Sequence, residues 1–179
     1  MKNIVRFWVA SLAMVLALTL AACGGGGSAP APTAAPSGGG AASGGGEATS
    51  GGGAPISSIE VTAKGEQLLF NVNEIGPFSA GSEATITFKN TSTINQHNLL
   101  VIKGDRTVTS AVNDAGAEAG TSVGYVPDDP AIVAHTGLLD PGSAETISFT
   151  PELGATYYYI CTVPGHYVAG MVGEITLAP

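Results

Sequence analysis

The chain has 179 residues, with six basic and 14 acidic side chains and a net charge of −8 at pH 7. This length leaves room for one domain of ordinary size. An acidic surface repels nucleic acid and anionic lipid headgroups, so the composition argues against a nucleic-acid-binding protein and against a basic membrane-binding patch.

Residues 1–22 have the composition of an export signal. Lys2 and Arg6 precede an uncharged run over residues 7–22, and glycines follow that run instead of a charged stop-transfer flank. The alternative is a transmembrane helix, for which sixteen uncharged residues are short. We therefore expect residues 1–22 to be a signal peptide and the protein to be exported.

The end of this signal, from Leu20 to Cys23, reads LAAC and resembles the lipobox of bacterial lipoproteins, in which the cysteine is acylated and becomes the first residue. The resemblance implies a lipid anchor at Cys23 that holds the protein at the outer, periplasmic face of the bacterial cell membrane. An ordinary cleavage site beside a coincidental cysteine is the alternative. Loss of residues 1–22 removes two basic residues, so four positive charges face 14 negative ones and the net charge becomes −10.

Residues 23–55 have the composition of a flexible linker. The stretch from Gly24 to Pro55 holds half of the 26 glycines of the chain and almost no large apolar side chain. Such a segment cannot bury enough apolar surface to order itself. A glycine-rich coil of about thirty residues has a root-mean-square span of roughly 30 Å. We expect a lipid-anchored tether here.

Residues 56–179 are expected to form one all-β domain. In ATITFKN, Ala84, Ile86 and Phe88 share one face of a strand, and polar residues alternate with them. Gly-Pro and Pro-Gly pairs mark turns, as in EIGPFSAGS and LLDPGSA. The pattern predicts an antiparallel sandwich or barrel, with strands in SIEVTA, LLFNV, ATITFKN, NLLVIK, AIVAH, AETISFT, ATYYYICT and GEITLA.

An alanine-rich segment without alternation, residues 105–129, interrupts the strands. We expect it to form a short helix and a loop. Residues 107–118 have the length of three turns, but Thr, Val and Asn are mediocre helix formers, and Gly116 is expected to interrupt the helix.

Three residue types that bind soft or borderline metals lie within eleven positions, on the connection between the last two predicted strands. Cys161, His166 and Met171 have the spacing C-x4-H-x4-M, and Pro-Gly between the first two brings the imidazole round beside the thiol. Taken singly, each has a simpler reading as a core or surface residue. Together with a single thiol kept in an exported domain, they indicate a metal site.

A fourth ligand must come from another part of the chain. Of the two remaining histidines, His97 lies where a polar turn enters an apolar strand, at the end of the sheet, whereas His135 resembles an ordinary strand histidine. Two imidazoles, one thiolate and a weak axial thioether suit copper in both of its oxidation states. The residue types therefore predict a one-electron transfer site.

The segments NQHNLL and CTVPGHYVAGM resemble the ligand motifs of cupredoxins, the type 1 blue copper proteins. The spacing is most similar to that of auracyanins, and azurins are nearer than plastocyanins. This resemblance spans residues 56–179 and implies a Greek-key β-sandwich. It also implies one copper ion per chain, cycling between Cu(I) and Cu(II), bound by His97, Cys161, His166 and Met171.

The resemblance further implies an electron carrier and not an enzyme. Its partners would be a redox donor and acceptor, such as a quinol-oxidising complex and a cytochrome c or a reaction-centre or oxidase subunit, in a photosynthetic or respiratory chain. We expect electrons to pass through the edge of His166, with Pro164, Val168 and Ala169 as an apolar docking patch. The acidic charge either keeps the protein soluble or steers it toward a basic partner.

Two neighbours of His97 bear on the copper site. Asn98 matches an asparagine that in many cupredoxins joins the two ligand loops by hydrogen bonds; a turn-capping role is the alternative. Gln96 stands where azurins have a glycine, so four ligands are expected and not five. A copper enzyme is the competing function, but it needs a further open metal site for which His135 alone remains. A copper-storage or adhesive domain is a third possibility.

Overall fold

A computed structural model of the protein describes residues 53–179. The expected signal peptide, Cys23 and nearly all of the expected linker lie outside the described residues. Within residues 53–179 there are nine strands, two α-helices and one 3₁₀ turn. In chain order they are β1 (Ser58–Lys64), β2 (Gln67–Phe70), β3 (Glu74–Phe78), β4 (Ala84–Lys89), β5 (Leu100–Lys103), α1 (Arg106–Ala119), the 3₁₀ turn (Thr121–Val123), β6 (Ile132–His135), β7 (Ala144–Phe149), β8 (Tyr157–Ile160), α2 (His166–Ala169) and β9 (Val172–Leu177).

The strands form two sheets, which confirms the predicted all-β sandwich. One sheet has the order β2-β1-β4-β7 and the other has the order β3-β9-β8-β5-β6. The predicted antiparallel pairing does not extend to every strand, because β1 pairs with β4 and β3 pairs with β9 in parallel. The remaining pairs are antiparallel.

Strand β3 occupies a segment that the Gly-Pro pair indicated as a turn. Its Ile75 and Phe78 are buried in the core, and Ile75 lies opposite Ile175 of β9. β3 is the edge strand of its sheet. Because an edge strand has one side without ladder hydrogen bonds, it can accept Pro77, which lacks an N–H group.

The main core lies between the sheets and follows the predicted alternation. Ala84, Ile86 and Phe88 of β4 are all at most 1% exposed. Strand β5 is buried on both faces, since Leu100 and Ile102 pack in a second cluster with Val112 of α1. The helix therefore covers the outer face of this sheet.

Helix α1 confirms the predicted insertion, but Gly116 does not interrupt it. Asp105 caps the helix, accepting hydrogen bonds from the N–H groups of the second and third residues that follow. Gly116 is buried, and a Cβ atom there would lie 2.7 Å from the Tyr125 carbonyl oxygen and 2.9 Å from Thr162 Cβ. The glycine thus allows the helix to lie close against Tyr125 and against Thr162, which follows β8. No helix within residues 53–179 has the length and apolar character needed to cross a bilayer.

Candidate metal centre

The connection from β8 to β9 is closed on itself by backbone hydrogen bonds. The N–H of Met171 donates to the His166 carbonyl at 3.0 Å, and the N–H of Cys161 donates to the Met171 carbonyl at 3.1 Å. Helix α2, a single turn that begins at His166, was expected to be loop. Gly165 and Gly170 flank it with φ angles of 88° and 111°, a region in which side chains are disfavoured.

His97 lies in the connection from β4 to β5, just before β5 begins. Its N–H donates to the Leu139 carbonyl at 3.2 Å and its carbonyl accepts from the Leu139 N–H at 2.8 Å. These two bonds fix the backbone of His97 against the segment that precedes β7. The side chain is fully buried.

The structure brings His97, Cys161 and His166 together. The Nδ1 atoms of the two imidazoles lie 3.1 Å apart, and Cys161 Sγ lies 3.4 Å from His166 Nδ1 and 3.9 Å from His97 Nδ1. These three buried residues form the one cluster of potential metal ligands found among residues 53–179. His135 is exposed on β6, where its Nδ1 contacts the Thr136 carbonyl, and it stays outside the cluster.

Burial favours the neutral forms of the three side chains. Burial raises the pKa of the Cys161 thiol to about 12, although the backbone N–H groups of Asn98 and Val163 act in the opposite direction. The pKa of His97 is lowered to about 4, chiefly by burial and then by repulsion from His166. Burial also lowers the pKa of His166. The imidazoles are therefore neutral at pH 7, and a metal ion would have to displace the thiol proton.

The donor set fits copper. Met171 is fully buried, and it is backbone-bonded to both Cys161 and His166. His97 directs Nδ1 toward the cluster, while its buried Nε2 has no hydrogen-bond partner among the described residues. Two imidazole nitrogens and a thiol, with a buried methionine on the same loop, make up the donor set typical of a type 1 copper site.

A buried network joins the two ligand-bearing segments behind the cluster. Asn98 accepts a hydrogen bond from the Thr162 N–H at 2.9 Å and donates from Nδ2 to Thr162 Oγ1 at 2.8 Å. Nδ2 also donates to the Gly124 carbonyl at 2.8 Å, and Thr162 Oγ1 donates to the Tyr125 carbonyl at 2.6 Å. The sequence indicated Asn98 by resemblance alone, and it carried no signal for Thr162 or for the two carbonyl groups.

The surface around the cluster is apolar near His166. His166 is 7% exposed, whereas His97, Cys161 and Met171 are fully buried. Pro164, Val168 and Ala169, the expected docking patch, are all exposed, and Val168 is 81% exposed. Ile94, 74% exposed and three residues before His97, was not singled out from the sequence. Gln96 hydrogen-bonds to Asp140 at 2.7 Å through its side chain.

Comparisons with known proteins agree with this geometry. The family model of copper-binding proteins of the plastocyanin/azurin family matches residues 57–178. Auracyanin-A of Chloroflexus aurantiacus is 40% identical over 168 residues, which cover 93% of this chain and 94% of the relative. Outer membrane protein H.8 of Neisseria gonorrhoeae is 35% identical over 119 residues, 63% of each chain.

A solved structure with the same fold is dithionite-reduced auracyanin from the photosynthetic bacterium Roseiflexus castenholzii. It has a TM-score of 0.67 and 39% identity, and the match covers 70% of this chain and all of that one. These similarities confirm the cupredoxin resemblance. The chain belongs to the copper-binding plastocyanin/azurin family, whose members are blue copper electron carriers and not enzymes.

Proposed function

We propose that His97, Cys161, His166 and Met171 bind one copper ion and that the protein carries single electrons between membrane complexes. The observation that carries this proposal is the convergence of the two Nδ1 atoms and Cys161 Sγ in a buried cluster. When bound by these residues, copper would supply a Cu(II)/Cu(I) couple suited to the exchange of one electron.

The protein holds the donor atoms in fixed positions and keeps water away from them. Cys161 loses its proton when the metal binds, and the backbone N–H groups of Asn98 and Val163 favour the resulting thiolate. Backbone bonds from Met171 to Cys161 and His166 restrict movement of the ligand loop. A site that moves little between oxidation states needs little reorganisation for each electron transferred.

His166 is the proposed route for the electron, because it alone of the four side chains reaches the surface. The exposed Pro164, Val168 and Ala169 surround it with apolar surface. A small apolar patch suits transient docking, in which each partner must leave soon after transfer. We extend the proposed docking surface to Ile94, which lies on the segment leading into His97.

The proposed partners are a donor such as a quinol-oxidising complex and an acceptor such as a cytochrome c or a reaction-centre or oxidase subunit. A relative described as coming from a photosynthetic bacterium supports a photosynthetic chain over a respiratory one. Because the chain is acidic, with a net charge of −10 once residues 1–22 are removed, we expect a basic surface on at least one partner. The second-order transfer rate should then fall with added salt; a rate independent of salt would contradict charge steering.

We further propose that residues 1–22 are a signal peptide, that Cys23 is a lipid anchor, and that residues 23–55 tether a copper domain formed by residues 56–179. The name of the similar outer membrane protein H.8 supports a membrane-associated location outside the cytoplasm. Cys23→Ala should abolish incorporation of a labelled fatty acid into the protein. Incorporation that persists in Cys23→Ala would contradict the anchor.

Variants of the metal ligands test the proposed copper function. The wild-type protein loaded with Cu(II) should show an intense visible thiolate-to-copper band, which Cys161→Ser should abolish. His97→Ala should also lose this band, whereas His135→Ala, a matched change outside the cluster, should keep it. An intact band in Cys161→Ser would overturn the proposed ligand set.

A further inference from the structure

A single carboxylate holds the segment that leads into His97. Glu66, between β1 and β2, accepts hydrogen bonds from Ser92 Oγ at 2.8 Å, Thr93 N–H at 2.7 Å, Thr93 Oγ1 at 2.9 Å and Asn95 Nδ2 at 3.4 Å. No other carboxylate within residues 53–179 accepts more than two. With these four hydrogen bonds, Glu66 restrains the position of residues 92–95.

The same segment is held from the inside by Asn90, which is fully buried. Its Nδ2 donates to the Asn95 carbonyl at 2.8 Å and to the Leu139 carbonyl at 3.0 Å, and its Oδ1 accepts from the Ser92 N–H at 3.1 Å. Leu139 is also the backbone partner of His97. The position of His97 therefore depends on a segment braced by two side chains.

Glu66 differs from Asn90 in bringing a negative charge. Its side chain is exposed, and the hydrogen bond from the Thr93 N–H is the largest cause that lowers its pKa, so the carboxylate is ionised at neutral pH. The carboxylate contacts Asn95, which lies two residues before His97 in the chain. Its negative charge is therefore held beside the segment that carries the proposed copper ligand.

We propose that Glu66 is a positioning residue that fixes residues 92–95, the segment leading into His97. Its negative charge, held at this end of the sandwich, also lowers the reduction potential of the proposed copper site. A nearby negative charge stabilises Cu(II) more than Cu(I), because Cu(II) carries the larger positive charge. This inference rests on the proposed copper function. Because Glu66 is exposed, solvent ions should screen part of its effect.

The test compares Glu66→Gln with Glu83→Gln in the purified, copper-loaded full-length protein. Glu83 comes directly before β4 and Asn90 comes directly after it, so this six-residue strand separates the two residues by about 20 Å. Glu66→Gln keeps the size and one oxygen acceptor but removes the charge. We expect its visible band to match the wild type and its reduction potential to rise, with a difference that shrinks as salt is added. Glu83→Gln should leave the potential unchanged.

Equal potentials in the two variants, or a lower potential in Glu66→Gln, would overturn the inference while leaving the copper function standing. A wild-type protein without the visible band would overturn both. Glu66→Asp keeps the charge in a shorter side chain, so its potential should stay near that of the wild type. A rise in Glu66→Asp as large as that in Glu66→Gln would contradict the role of charge.

A second measurement needs no copper. In the metal-free protein, Glu66→Ala removes the acceptor of the Thr93 N–H, so exchange of that amide with solvent should become roughly tenfold faster, as expected for loss of a hydrogen bond to a charged group. The Thr107 N–H, which donates to Asp105, is an internal control. Unchanged exchange at Thr93 would contradict the bracing role.

Discussion

His97 Nδ1 and His166 Nδ1 lie 3.1 Å apart, although 69 residues separate the two histidines in the chain. Cys161 Sγ lies within 3.9 Å of both. Neutral imidazole has one donor and one acceptor nitrogen, so at most one of these two atoms can donate to the other. Soft and borderline donor atoms gathered this closely, away from water, are suited to bind one shared metal cation.

Met171→Gln should keep copper but lower its reduction potential. The thioether sulfur of Met171 favours Cu(I), whereas the amide oxygen of glutamine is a harder donor that favours Cu(II). Potentiometric titration of the visible band measures the change. Met171→Leu, which removes the donor without replacing it, should shift the potential in the opposite direction. A potential in Met171→Gln equal to or above that of the wild type would contradict the role of Met171 as a copper ligand.

Thr162→Val should destabilise the protein by about 1–3 kcal/mol, because it leaves buried polar groups without partners. The hydroxyl of Thr162 accepts from Asn98 and donates to the Tyr125 carbonyl. Urea unfolding of the metal-free protein measures the loss. Thr162→Ser keeps the hydroxyl and should recover most of the stability. Equal stability of the valine variant and the wild type would mean that the network behind the cluster contributes nothing.

Gly173→Ala should cost more than about 3 kcal/mol, beyond the usual range for overpacking. A Cβ atom at Gly173 would overlap the ring carbon Cζ and the hydroxyl of Tyr159. Tyr159 is fully buried, and its hydroxyl donates to the Val72 carbonyl, so the ring has little freedom to move. Gly137→Ala is the matched control, since its nearest contact would be Glu145 at 3.6 Å. Similar unfolding free energies for the two variants would contradict this packing argument.

The metal-free protein should lose stability as the pH falls from 6.5 toward 4. The pKa of His97 is lowered to about 4 by burial and by His166, whereas an unfolded histidine titrates near 6.5. In this window the unfolded chain binds the extra proton, so the free energy of unfolding rises with pH, with a contribution from His97 on the order of 3 kcal/mol.

Urea unfolding of the metal-free protein between pH 4 and 7 measures this dependence. His97→Gln should flatten the curve relative to the wild type and relative to His135→Gln, a matched change at an exposed histidine. Comparison among the three proteins removes the contribution of carboxylates common to all of them. Parallel curves for the wild type and His97→Gln would refute the prediction.

Much of the fold was predictable because it rests on local pattern. The alternation of Ala84, Ile86 and Phe88 gives the buried face of β4, and the alanine-rich segment after Asp105 forms the inserted helix. Pairing partners were not predictable in the same way. The parallel pairs β1–β4 and β3–β9 join segments far apart in sequence. The Gly-Pro pair is typical of a turn, so the sequence did not indicate the strand that contains Ile75.

The residues of the metal cluster and its surroundings were likewise only partly predictable from local pattern. Cys161 and His166 lie on one loop, so their spacing already predicts proximity, while the choice of His97 over His135 came from its position at a strand end. The sequence did not indicate Thr162 or Glu66, because a threonine or an exposed glutamate carries no pattern of its own. Their roles depend on which segments the fold brings beside them.

The most direct test of the account is a visible spectrum of the purified protein titrated with Cu(II) and then reduced with ascorbate. If the cluster binds copper, an intense blue or green band should saturate at one copper ion per chain, bleach on reduction and return on reoxidation. Absence of such a band, with Cys161 remaining a free thiol, would contradict the central claim that this cluster is a redox-active copper site.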